Sequence, residues 1–191
     1  MAQADWGGAR KLGLPITMHT SGQSPINLMD DAGLVGPDVQ LVHPLLTTAG
    51  ERKILAVRGV SYSMSPLGES RRPASAGVIQ LGELLQAGVK CSLSIDHTTT
   101  YNVDFFQCMR MLYNLHQHRI GPKVPVTAKR LVQLATIDGA IDLGIAERTG
   151  SLTICLSDCC HFFPRPQPHP KSQNRLLKQG LGTGRLKRFH S

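Results

Sequence analysis

The chain has 191 residues, 41% of them hydrophobic and 18% charged, with 19 Gly and 12 Pro; this suits one soluble globular domain or part of a larger one. No run approaches the roughly 18 consecutive apolar residues of a membrane span, and the opening segment lacks the apolar core of a secretory signal, so a cytoplasmic location without membrane association is expected. The net charge of +8 is unevenly held: residues from Ser151 onward carry +6 and the body before them only +2. A near-neutral body presents no one-sided basic face, so nucleic acid is not an expected partner. The five cysteines, Cys91, Cys108, Cys155, Cys159 and Cys160, are odd in number and lack paired metal-finger spacing, which points to reduced thiols.

From about residue 14 to residue 150, short β-branched or apolar runs alternate with helix-like runs, the pattern of βα units around a parallel sheet. A first strand is expected over 15–19, ending in His19, and a second over 39–43, ending in His43. Thr48 and Glu51 then fit a capping box, opening a helix whose stripe includes Ile54 and Leu55 and which Gly59 stops. A third strand is expected over 60–64. After it, Val78, Ile79, Leu81, Leu84 and Leu85 recur at helical spacing as far as Gly88. A fourth strand over 89–96 ends in Asp96. Beyond the polar stretch 97–100, a long helix over 104–118 shows an apolar face with Phe105, Met109, Leu112 and Leu115. A helix over 127–135 with Leu131, Val132 and Leu134 follows, then a shorter one over 138–143 stopped by Gly144.

The segment from about 154 to 191 changes character. It has three cysteines within six residues, then Pro164, Pro166, Pro168 and Pro170 at alternate positions, then a basic Gly-containing end. Proline at this density blocks backbone hydrogen bonding, so a disordered tail over 154–191 is expected behind a domain over 1–153. Gly180, Gly182 and Gly184 follow no strand and open no helix, which is not the setting of a phosphate-cradling loop. Cys155, Cys159, Cys160, His161 and His169 match no common zinc spacing.

Three of the expected strands end in a residue able to hold a metal or move a proton: His19, His43 and Asp96. In a barrel of parallel βα units the carboxyl ends of the strands share one face, so residues distant in sequence meet over one pocket. Imidazole and carboxylate together suit zinc or a comparable divalent ion, whose bound water becomes a nucleophile near neutral pH. Each residue alone has a plainer reading, since a histidine at a strand end often packs or caps and an aspartate there often caps the next turn. Their coincidence favours a site. Glu69, Arg71 and Arg72 after the third strand read either as substrate contacts at the mouth or as a solvated charge cluster.

The segments Leu41 to Pro44, Val60 to Gly68, Gly88 to Asp96, Leu134 to Ala140, and Leu143 to Leu152 resemble, in that order, the second half of a metal-dependent amidohydrolase. The similar branch holds cytosine deaminase, chlorohydrolases and adenosine-type deaminases. The resemblance implies an α/β chain forming part of a TIM-type (β/α) barrel, with the four strands as its fifth to eighth. It implies hydrolysis of non-peptide carbon–nitrogen bonds in a small molecule such as a heterocyclic amine. It also implies a divalent cofactor, zinc or alternatively iron, with His19 and Asp96 as metal residues, and His43 and Asp96 as catalytic residues. His43 would bind substrate or polarise the attacked group, and Asp96 would take the proton of the attacking water.

The chain departs from that pattern in three places, one being that Gly150-Ser151-Leu152 runs into Thr153-Ile154-Cys155 where the family has a Gly-Lys-Ala-Asp stretch. No His-x-His pair precedes His19, and His116 and His118, which have that spacing, fall on a helix and read as its surface. No glutamate follows His19 within 20–23, where the deaminases carry one. Half a barrel also leaves open sheet edges, which a second copy forming a homo-oligomer would cover. The alternative function is a noncatalytic remnant that binds a full-length homologue.

Overall fold

The computed structural model describes residues 2–20, 25–43, 45–72, 77–97, 104–119 and 124–152. The expected tail, with Cys155, Cys159, Cys160 and the glycines near its end, lies outside them, as do residues 98–100 of the polar stretch. In chain order the elements are α1 (Ala2–Lys11), β1 (Ile16–His19), α2 (Ile26–Asp31), β2 (Val39–Val42), α3 (Ala49–Arg58), β3 (Ser61–Met64), α4 (Pro66–Glu69), α5 (Leu81–Gln86), β4 (Lys90–Leu93), α6 (Phe105–Arg119), α7 (Ala128–Ala135) and α8 (Ile137–Asp142). The four strands form one parallel sheet in the order β1-β2-β3-β4. Sequential parallel order is the consequence of a helical crossover after each strand.

Strand register decides which side chains face the helices. Met18, Leu41, Tyr62 and Cys91 stand in one row, and Met64 stands beside Leu93. Leu41, Tyr62 and Met64 are fully buried there against Leu55, Leu84 and Leu112 from the helices. Each such side chain contributes roughly 1.5–3 kcal/mol through removal from water. Because strand side chains alternate, the intervening rows lie on the opposite face: Thr17, Gln40, Ser61 and Lys90, then His19, Val42, Ser63 and Ser92. That face is mostly small and polar, and its last row leads directly to the strand ends.

Local chemistry sets the element boundaries. The Thr48 hydroxyl accepts from the Glu51 N–H at 3.2 Å and the Glu51 carboxylate accepts from the Thr48 N–H at 2.8 Å, completing the expected capping box of α3. Asp104 performs a related task for α6, accepting from the N–H groups of Phe106 and Gln107.

Several details differ from the sequence expectation. The helix after β3 begins at Leu81, so Val78 and Ile79 precede it outside any helix or strand, and the short α4 intervenes. The buried face of α6 carries Cys108, Leu112 and His116, while Phe105 is partly exposed. His116 is therefore not on the helix surface; its Nε2 lies 2.6 Å from the Val124 carbonyl oxygen, whereas His118 is exposed. Val132 is likewise exposed on α7. Helix α1, which shows no buried residue, is fastened by polar contacts: the Trp6 indole donates to the Leu34 carbonyl at 2.9 Å, and Arg10 Nε pairs with Asp38 at 2.7 Å. That pair holds the Asp38 carboxyl below its ordinary range, chiefly through the hydrogen bond from Arg10.

Candidate functional site

Each strand delivers its last residues to the same end of the sheet. At β1, the Thr20 N–H and hydroxyl both donate to the Val42 carbonyl, at 2.8 and 3.0 Å, which carries β1–β2 pairing past His19. At β2, the His43 N–H donates to the Ser63 carbonyl at 3.3 Å. At β4, the Ser94 N–H donates to the Met64 carbonyl at 2.7 Å, and the Ser94 and Ser65 hydroxyl oxygens lie 2.7 Å apart. The chain then turns sharply at both acting positions: His43 has φ 61° and Asp96 φ 71°. These left-handed conformations cost roughly 1–2 kcal/mol for a residue with a Cβ, and such strain concentrates at functional sites.

The three residues singled out by their strand-end positions are brought together. One ligand atom from each of His19, His43 and Asp96 lies within 4.8 Å of the other two. The rings of His19 and His43 stack at a centroid separation of 5.2 Å and an interplanar angle of 25°. His43 Nε2 stands 3.8 Å from Asp96 Oδ2, too far for a direct hydrogen bond. Ligands at about 2.1 Å from one zinc ion are at most about 4.2 Å apart, so closing by some tenths of an ångström brings all three to one ion. Nitrogen and carboxylate oxygen are the donors zinc takes. The site fits a divalent ion on geometry and donor type.

Glu69 completes the cluster, and its position corrects both sequence readings of it. It is neither at the mouth nor in a solvated loop: α4 turns back immediately after β3, so that Glu69 is buried beneath His43. Its Oε1 lies 2.7 Å from His43 Nδ1. Proline at the start of α4 presets that turn. A glutamate three residues after the Ser65-Pro66 step was the available signal in the sequence, but its partner sits on a different strand.

His97 Nε2 is 3.9 Å from the same Asp96 Oδ2. The mouth is a cleft of about 450 Å³ whose walls include His19, Val42, Ser63, Asp96 and Phe105; Phe105 thus serves the mouth rather than the core. A larger hollow of about 620 Å³ lies at the other ends of the strands, with Arg10, Gln40 and Asp142 in its wall. None of the three clustered residues borders it, so the chemistry selects the smaller cleft.

The relatives agree with the geometry. Over 149 residues the chain is 30% identical to a 5'-deoxyadenosine deaminase of Methanosarcina mazei, covering 78% of this chain and 34% of that protein. Over 152 residues it is 32% identical to a 5-methylthioadenosine/S-adenosylhomocysteine deaminase of Thermococcus onnurineus, covering 72% and 35%. The chain thus spans about a third of the length of these curated relatives. Among solved structures, an adenosine deaminase from Xanthomonas campestris with bound zinc superposes with a TM-score of 0.69 at 25% identity, over 77% of this chain and 36% of that one. The fold is therefore the expected α/β partial barrel. The amidohydrolase family model matches residues 8–154, and with parallel strands that bring His19, His43 and Asp96 to one mouth, the chain belongs to the amidohydrolase family.

Proposed function

We propose that this chain carries the second half of the barrel of a metal-dependent hydrolase acting on non-peptide carbon–nitrogen bonds of small heterocyclic amines. The observation that carries the reading is the convergence of His19, His43 and Asp96 within 4.8 Å. His19 and Asp96 would hold a divalent ion, with zinc favoured by the nitrogen and oxygen donors and by the zinc-bound adenosine deaminase of similar fold. Such an ion, when bound, lowers the pKa of coordinated water toward neutrality. Asp96, half-exposed beside the cleft, takes the proton of the attacking water and returns it to the leaving nitrogen. His43, with a ligand atom within 4.8 Å of those of His19 and Asp96, stands beside the ion and binds the substrate next to it. Phe105 and Val42 supply apolar wall for a flat heterocycle. The substrate class follows the deaminases named above, whose names specify adenosine derivatives as substrates.

Zinc analysis of the dialysed full chain tests this. We expect near-stoichiometric zinc in the parent and a loss of at least tenfold in affinity for His19→Ala and Asp96→Ala. Equal zinc in parent and variants would place the metal elsewhere and remove the hydrolase reading.

A second reading is favoured by the unpaired outer edges of β1 and β4 among the described residues, which another chain can cover. In it the chain is a noncatalytic partner of a full-length homologue. No zinc, together with a mixed complex in co-purification, supports that reading instead.

A further inference from the structure

We propose that Glu69 is a positioning residue that holds the ring proton of His43 on Nδ1 and so leaves a bare Nε2 toward Asp96. Glu69 Oε1 and His43 Nδ1 are 2.7 Å apart, and both side chains are almost wholly removed from water. A carboxylate can only accept, so the proton between the two belongs to Nδ1, and in the neutral tautomer fixed in this way the lone pair lies on Nε2. The other carboxylate oxygen of Glu69 is buried without a hydrogen-bond partner among the described residues. His43 is therefore the outlet for the charge of Glu69, and this favours a strong, fixed hydrogen bond over a mobile one.

The consequence is an inversion of what His43 offers. A bare Nε2 stands 3.8 Å from Asp96 Oδ2, with the His19 ring stacked alongside, so acceptor atoms face one another across a gap. Such an arrangement attracts a cation, or a substrate N–H, and repels a carbonyl oxygen. His43 thus selects an amine or amidine hydrogen, rather than polarising the attacked group by donating to it, the other role the family resemblance allows. The link to metal and substrate rests on the functional reading above, whereas the tautomer does not.

Two-bond proton–nitrogen correlation spectra of the metal-free full chain give the tautomer directly. The expected result is a His43 ring protonated at Nδ1. A proton on Nε2 in the parent overturns the proposal without any variant. In Glu69→Gln, whose amide can donate to Nδ1, the expected result is a shift toward the other tautomer and a loss of zinc affinity of about 10- to 100-fold. That affinity loss must vanish in the His43→Ala background. An equal loss in that background would show a merely structural role for Glu69 and overturn the proposal. An unchanged His43 tautomer in Glu69→Gln overturns it too. Absence of zinc binding in every form, with the Nδ1 tautomer intact, defeats the metal-hydrolase reading and leaves the positioning role standing.

Discussion

Two side chains outside the cluster show how burial tunes chemistry residue by residue. Burial pushes the Cys91 thiol up to about 12, and the side chain faces Tyr62 in the core row. At neutral pH that leaves about one thiol in 100,000 ionised, and the thiolate is the reactive species. Alkylation of Cys91 should therefore proceed only at the rate of unfolding, read by mass spectrometry of its peptide; fast labelling in native buffer would contradict the packing. Asp142 behaves differently. Burial raises its carboxyl above the ordinary value of 3.8, against hydrogen bonds with Ser92 and Gln40 that lower it, and its Oδ2 is without a partner among the described residues. An acid raised on folding keeps its proton longer in the folded state. Its stability contribution is thus best when neutral, and it falls as pH rises through and above the ordinary range. Asp142→Asn should raise the melting temperature at neutral pH, with the gain shrinking as pH is lowered toward 3.8. A lower melting temperature at neutral pH would show that the charge is needed.

At the level of elements, the capping box and one loop glycine make separable predictions. Thr48→Ala removes a hydroxyl that accepts a helix N–H at 3.2 Å and should cost about 1–2 kcal/mol in urea unfolding. Gly77 has φ +92°, and a Cβ there would meet the Leu45 carbonyl oxygen and the Leu46 side chain at 2.7 Å. Gly77→Ala should destabilise by roughly 1–3 kcal/mol. The loop it presses leads back to His43, whose carbonyl accepts from the Leu45 N–H at 2.8 Å, so the same variant should also disturb the His43 ring resonances. In α6, Leu112→Ala should cost about 2–5 kcal/mol, whereas truncating exposed Phe106 should cost little. The contrast was not evident from periodicity, because several adjacent positions of that helix are apolar and only the neighbouring elements select Cys108, Leu112 and His116.

For the whole molecule, the open sheet is the dominant feature. Among the described residues β1 pairs only with β2 and β4 only with β3, so each presents one unpaired edge, a template for association. Light scattering should show an apparent mass that rises with protein concentration. The Ile16 and Thr20 N–H groups donate toward β2, so by alternation the Thr17 N–H points to the outer edge. Thr17→Pro should reduce association while leaving the sheet's circular dichroism in place; association undiminished by it would place the contact away from the β1 edge.

His19, His43 and Asp96 were recognisable in the linear chain because four short strands separated by helical crossovers can only run parallel, and parallel strands align their carboxyl ends. The capping residues of α3 were recognisable for the same kind of reason, since cap and partner lie within one helical turn. What folding alone decided is the company those residues keep: the Glu69 carboxylate beneath His43, the turn of His116 inward, and Phe105 at the mouth. Each depends on which element packs across from another, and that is set by long-range side-chain fit with no signature in local spacing.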